Sequence, residues 1–194
     1  MGDDVSHLDT MEYALGELRE VIAGLDDSVM DDPTNCEPWT VRRLASHALN
    51  NQLVWAGLVT GQQIVPVEDA MGAVPLDGDL GPVAADVTAR AMELWRTDGI
   101  LEALHMTPFG EAPGSVVIDF ALIDAAAHAW DIASSTGRAL EFDPAHLATL
   151  DDVVAATCND AAREAGLIKA PTEPPANATH TERQMAAAGR AIPR

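Results

Sequence analysis

The stretch from Ser115 to Thr136 restricts the fold more than any other part of the chain: it is apolar nearly all round and closes at Gly137. A helix with no polar face has to be covered on every side, so it must be the central element of a helical packing. It is not wholly apolar, however. Asp124 and His128 stand four residues apart inside it and therefore project from one face, a turn apart. The same face carries Val117, Phe120 and Ala121, which places the carboxylate and the imidazole on a buried stripe. Burying an unpartnered carboxylate costs as much free energy as a whole domain has to spare. A metal ion would neutralise it, and so would a protonated His128.

The remaining elements follow the same period. A first helix opens after Ser6, an N-cap with Asp9 three residues later, and aligns Val5, Leu8, Met11, Leu15, Leu18, Ile22 and Leu25. Asp26 to Pro38 is a polar, turn-rich connection. A second helix starts after Thr40 and stops at Gly61, with Leu44, His47, Asn51, Val54, Trp55 and Leu58 on one face. Residues 62–80 lack periodicity and read as a long functional or crossing loop. A third helix starts near Gly81-Pro82, carries Val83, Val87, Ala91, Leu94 and Trp95, and ends towards Gly99. Residues 105–114 are expected to form a second loop before the central helix. A fifth helix takes Asp143 as N-cap and Pro144 as first residue, then Leu147, Leu150, Val154, Cys158 and Ala161. The tail from Gly166 is rich in Pro and Thr, with a helical turn expected near Thr181–Ala188.

One tyrosine and three phenylalanines leave Ala, Val and Leu to fill the core, which favours helices over strands. The expectation is an all-α fold, a single domain over residues 1–194 whose segment 166–194 is partly irregular. A formal charge of −20, from 11 basic and 31 acidic residues, argues against a nucleic-acid backbone or an anionic membrane as partner. It suits a soluble cytoplasmic protein. No run of about 20 apolar residues is present. Cys36 and Cys158 make no disulfide framework. Cys36 has acidic neighbours that do not activate a thiol, and Cys158 lies on an apolar helical face and reads as core.

His47 stands between Leu44 and Trp55 on the core face of the second helix, with Asn51 one turn on. A lone core histidine is usually a hydrogen-bonded structural residue. Together with Asp124 and His128 it can instead converge in the bundle interior as a three-ligand metal set with open positions, the pattern of a catalytic site. Asp131 follows His128 by three residues and either orients a ring N–H or faces solvent. His7, His105, His146 and His180 fall at helix ends, loops or the tail, and of these His105 could border a pocket.

The segment Cys36-Glu-Pro-Trp39-Thr-Val-Arg-Arg-Leu44-Ala-Ser-His47 resembles the entry into the second helix of the DinB-like superfamily. Pro108-Phe109-Gly110, then Asp124-Ala-Ala-Ala-His128-Ala-Trp130-Asp131 through Thr136-Gly137, and the closing Gly189-Arg190, are similar to the branch related to mycothiol-dependent maleylpyruvate isomerase. The resemblance implies a DinB-like four-helix bundle, here with an additional C-terminal helix and tail. It further implies a divalent metal, zinc first and nickel, iron or manganese otherwise, held by His47, Asp124 and His128, with Asp131 behind them. Relatives of this kind act with a low-molecular-weight thiol such as mycothiol or bacillithiol, as S-transferases or isomerases, and occur as monomers or homodimers. The implied partners are a small-molecule thiol and an electrophile. A non-catalytic metal-binding or stress-response module and a metal-dependent hydrolase are the alternatives. Two departures stand out: the isomerase has glutamate where this chain has Asp124, and it carries a further C-terminal domain that this chain is expected to lack. Maleylpyruvate isomerisation itself is therefore not expected.

Overall fold

A computed structural model describes residues 5–107, 110–164, 166 and 168–192; Pro108 and Phe109, part of the family-like segment, lie outside the described residues. The elements run α1 (His7–Ala23), α2 (Val41–Thr60), α3 (Val67–Met71), α4 (Leu80–Trp95), β1 (Leu104–Thr107), β2 (Gly110–Pro113), α5 (Gly114–Ser135), α6 (Leu147–Thr157), α7 (Asp160–Glu164) and α8 (His180–Ala187). The fold is all-α apart from the small hairpin, in agreement with the sequence reading.

The helix limits have local causes. Ser6 and Asp9 form a reciprocal capping box at the start of α1, and Thr40 caps α2 by accepting from the Arg43 N–H. Gly61 ends α2 at φ 67°, a left-handed conformation that costs glycine nothing. Four helices make the bundle: α1 packs on α4 and α5, and α2 packs on the same two. Sequential helices α1 and α2 therefore occupy opposite corners, and so do α4 and α5. Leu15, Leu18 and Ile22 of α1, Leu44 and Leu49 of α2, Trp95 of α4, and Ile118, Leu122 and Ile132 of α5 are buried together in one core. The central position expected for 115–136 is the position of α5, which touches α1, α2, α6 and β2.

Three expectations need correction. Residues 104–107 and 110–113 pair as two antiparallel strands where a loop was expected; each strand is four residues long, too short to show alternation. The 62–80 connection contains the single-turn helix α3. The fifth helix starts at Leu147 rather than Pro144, because Asp143 closes a turn on the Ala145 N–H before the helix begins.

The tail is docked. Thr179 and Glu182 form a second capping box, α8 packs on α6, and the Thr172 hydroxyl and N–H reach the Arg190 and Ala186 carbonyls. At the start of α5, Gly114 donates its N–H to Ala103, and any Cβ there would collide with the Ile100 carbonyl oxygen. Gly114→Ala is expected to cost about 1–3 kcal/mol by overpacking. Gly16→Ala in α1, where a Cβ meets nothing, should be stabilising by about 0.5–1 kcal/mol. Urea unfolding of the two variants checks both signs.

Candidate metal centre

The centre lies between α2 and α5. His47 comes from the second turn of α2, and Asp124 and His128 come from successive turns of α5. One ligating atom from each of the three lies within 4.8 Å of the others. His128 Nε2 is 3.5 Å from Asp124 Oδ1. The His47 and His128 rings meet edge to face with centroids 4.9 Å apart, and Trp39 lies against His47 at 4.5 Å.

Each histidine is held through Nδ1, and Asp124 through both of its oxygens. His47 Nδ1 donates to the Ala70 carbonyl at 2.7 Å, so its Nε2 is the ring atom left to accept or ligate. That carbonyl belongs to α3, which gives the short helix in the 62–80 connection a definite task. His128 Nδ1 donates to Asp131 Oδ2 at 3.0 Å, which likewise leaves Nε2. Asp124 accepts from the Asn51 amide on Oδ1 at 2.8 Å and from the Gln52 amide on Oδ2 at 2.9 Å. Both amides project from α2, so the shorter aspartate is fixed from across the helix interface.

Behind His128 lies a second layer centred on Asp131, which is fully buried. Arg190 of the tail donates to Asp131 Oδ2 at 3.0 Å, the Asn35 amide donates to Oδ1 at 2.9 Å, and the Cys36 thiol donates to Oδ2 at 3.3 Å. Asn35 and Cys36 are presented by the turn before α2, where Thr34 bonds Trp39 and Trp39 bonds Cys36. Cys36, His128 and Asp131 also lie close enough to form a second three-atom cluster. The Arg190 cation beside it opposes a further positive ion there.

The charges are strongly coupled. Burial alone would raise the Asp124 carboxyl, but His128 and then His47, with the Asn51 amide, outweigh it and hold the acid below its usual range. Burial alone would lower His128; the Asp124 charge and the bonds to Asp124, Asp131 and Cys36 reverse this, so the ring keeps its proton well above the usual imidazole range. His47 is pushed down by burial and by the His128 charge. Asp131 is held well below the carboxylate range by Arg190 and His128 against the effect of burial.

All three residues expected to converge do so, and Asp131 orients the His128 ring rather than facing solvent. His105 does not reach the centre: its Nε2 bonds the Ile100 carbonyl in the hairpin region. His7 pairs with Asp119, His146 stacks on Tyr13, and His180 pairs with Asp151. The sequence reading missed Asn35, Cys36, Gln52 and Arg190 as supports. Cys36 and Arg190 left a trace, each as part of a family-like motif; Asn35 and Gln52 left none.

A helical bundle with a His, Asp and His cluster between two of its helices is the class that fold and geometry define. Residues 12–133 match the family described as the mycothiol maleylpyruvate isomerase N-terminal domain, and the chain belongs to that family. It is also similar to two uncharacterized proteins of Mycobacterium tuberculosis, Rv0738 of strain H37Rv and MT0763 of strain CDC 1551. Each is 33% identical over 129 residues, which cover 64% of this chain and 64% of the relative. No solved structure matches the chain. Among the described residues no helix is long and apolar enough to cross a membrane.

Two outcomes are expected. Arg190→Ala leaves Asp131 buried without its cation and should destabilise the fold by about 3–5 kcal/mol; adding Asp131→Asn should recover part of the loss. Equilibrium unfolding of the single and double variants measures this. In chelator-treated protein, stability should fall on both sides of neutrality. His47, lowered in the fold, loses its contribution as pH drops from its unfolded value near ~6.5 towards its folded value. His128, raised in the fold, loses its contribution as pH climbs from ~6.5 through its folded value. His128→Gln should flatten the alkaline limb, and an unchanged limb in that variant would refute the assignment.

Proposed function

We propose that the chain holds one divalent metal ion with His47, Asp124 and His128 and uses it to act on a low-molecular-weight thiol such as mycothiol, in transfer to, or isomerisation of, a small electrophile. The observation that carries this reading is the orientation of the three side chains. Both imidazoles spend Nδ1 on fixed acceptors, and each oxygen of the carboxylate is steadied by one amide, so two Nε2 atoms and the second lone pair of Asp124 Oδ1 are what the three side chains can offer a common partner. The donor set fits. Two nitrogens and one oxygen are an open zinc-type set, and one such atom from each residue lies within 4.8 Å of the other two. When bound, a divalent ion at such a set acidifies a coordinated thiol or water.

The chain's own residues have separable roles in this reading. Asp131 keeps the proton of His128 on Nδ1. Ala70 does the same for His47. Trp39 covers the His47 ring and keeps one side of the cluster dry. Membership of a mycothiol-related family supports a thiol as co-substrate. A metal-free reading, in which Asp124 and a protonated His128 are simply a buried ion pair, is favoured by the raised proton affinity of His128. A cytoplasmic location follows from the thiol, which is a reductant of that compartment.

Metal analysis of untagged protein is expected to give about one divalent ion per chain, and His47→Ala should lose it with only a modest change in stability. Chelation should lower the melting temperature, since the ion binds only the folded chain. Metal-loaded protein should then consume mycothiol in the presence of a small electrophile. A full metal complement with neither thiol binding nor turnover would refute the thiol reading; retention of metal by His47→Ala would refute the ligand set.

A further inference from the structure

A cavity of about 490 Å³ opens between α6, α7 and α8, away from the cluster just described. Two arginines line it, Arg163 of α7 and Arg183 of α8. In a chain with 11 basic against 31 acidic residues, that pairing sets the cavity apart from the rest of the surface. Arg163 gives Nη1 to Asp160, while its Nε is buried and has no hydrogen-bond partner. Arg183 gives Nη1 to the Ala178 carbonyl. The one carboxylate in the wall, Asp151, is already engaged by His180 Nε2 at 2.8 Å and by Gln184 Nε2 at 2.8 Å.

Gln184 is 4% exposed, lines the cavity, and spends Nε2 on the Leu147 carbonyl and Asp151. Those two acceptors fix the amide orientation, because the reversed amide would set oxygen against both. Gln184 Oε1 is therefore a buried acceptor without a donor. Oε1 has no accessible surface, so Gln184 frames the cavity by tying α8 to Leu147 and Asp151 of α6 and does not offer that acceptor to a ligand. Val154, Ala155 and Ala187 give the wall an apolar part.

We infer that this cavity binds a small organic anion: its carboxylate taken by Arg163 and Arg183, and an aliphatic body laid against Val154, Ala155 and Ala187. Arginine forks match carboxylate geometry, and the volume lies within the ~300–1,000 Å³ usual for small-molecule sites. A bare inorganic anion would leave the apolar wall uncovered.

N-acetyl-leucine carries both features and serves as the probe, with calorimetry and amide NMR shifts as readouts. It is expected to saturate the protein with a dissociation constant in the range of about 1 mM, given its size. Arg163→Gln and Arg183→Gln should each weaken binding at least about tenfold, the loss of one charge-assisted contact. Arg96→Gln, at an exposed pair with Glu12, should leave it unchanged. Chelator-treated protein should bind equally well, which separates this site from the metal reading. The inference is overturned if N-acetyl-leucine does not saturate, if uncharged N-acetyl-leucinamide binds as tightly, or if neither arginine matters. Inorganic phosphate binding as tightly as N-acetyl-leucine would overturn it too, by marking a simple anion site. Arg183 is exposed, so its variant keeps the test decisive even if Arg163→Gln folds poorly.

Discussion

The buried charge of Asp131 is the constraint around which the rest of this structure is arranged. A carboxylate with no exposure is tolerated only when its charge and lone pairs are taken up. Here the partners come from three separate parts of the chain: Arg190 from the tail, Asn35 and Cys36 from the turn before α2, and His128 from its own helix. One buried group thus docks the tail, fixes the entry to α2 and sets the His128 ring. The tail is consequently part of the centre, although residues 12–133 are the part that matches the family. The closing Gly189-Arg190, which reads from sequence as a minor motif, has its physical reason in that charge.

The second organising device is the backbone of the 62–80 connection. Its short helix holds the Ala70 carbonyl against His47, while Arg42 and Arg43 of α2 bind the Leu76, Gly78 and Gly72 carbonyls and keep the segment in place. A long connection without periodicity looks like slack in a sequence. In the fold it selects the histidine tautomer, because an acceptor at Nδ1 leaves only Nε2 directed at Asp124 and His128.

How much was legible in the sequence depends on the range of the interaction. Helix ends were readable because caps are local: Ser6 with Asp9, Thr40 and Gly61 stand where the structure uses them. The convergence of His47 with Asp124 and His128 was readable because polar residues on two apolar stripes must meet when the stripes pack. The hairpin was not, since its pairing is set by packing on α2 and α5 rather than by alternation within eight short positions. Nor were the supports of Asp131 and Asp124. Gln52 follows Asn51 directly and so points off the face that carries His47; Asn35 is 96 residues from Asp131, with α2, α3, α4 and both strands between, and Arg190 is 59 residues beyond it, past α6, α7 and α8. Partners that distant have no periodicity to reveal them.

Two of the three carboxylates of α5, Asp124 and Asp131, finally explain each other. Asp131 is sealed by a guanidinium, an amide, a thiol and an imidazole, and with its charge balanced it has a positioning role. Asp124, seven residues earlier and two turns along the same helix, makes no ion pair with an arginine or lysine among the described residues; Asn51 and Gln52 supply hydrogen bonds but no charge. Amides orient a carboxylate without neutralising it, so the balancing charge must come from the histidine cluster itself. A proton on His128 supplies it in one state, and a divalent ion shared with His47 would supply it in another while releasing that proton. The difference between a guanidinium and two amides, on two acids of one helix, is what separates a structural carboxylate from a candidate ligand in this chain.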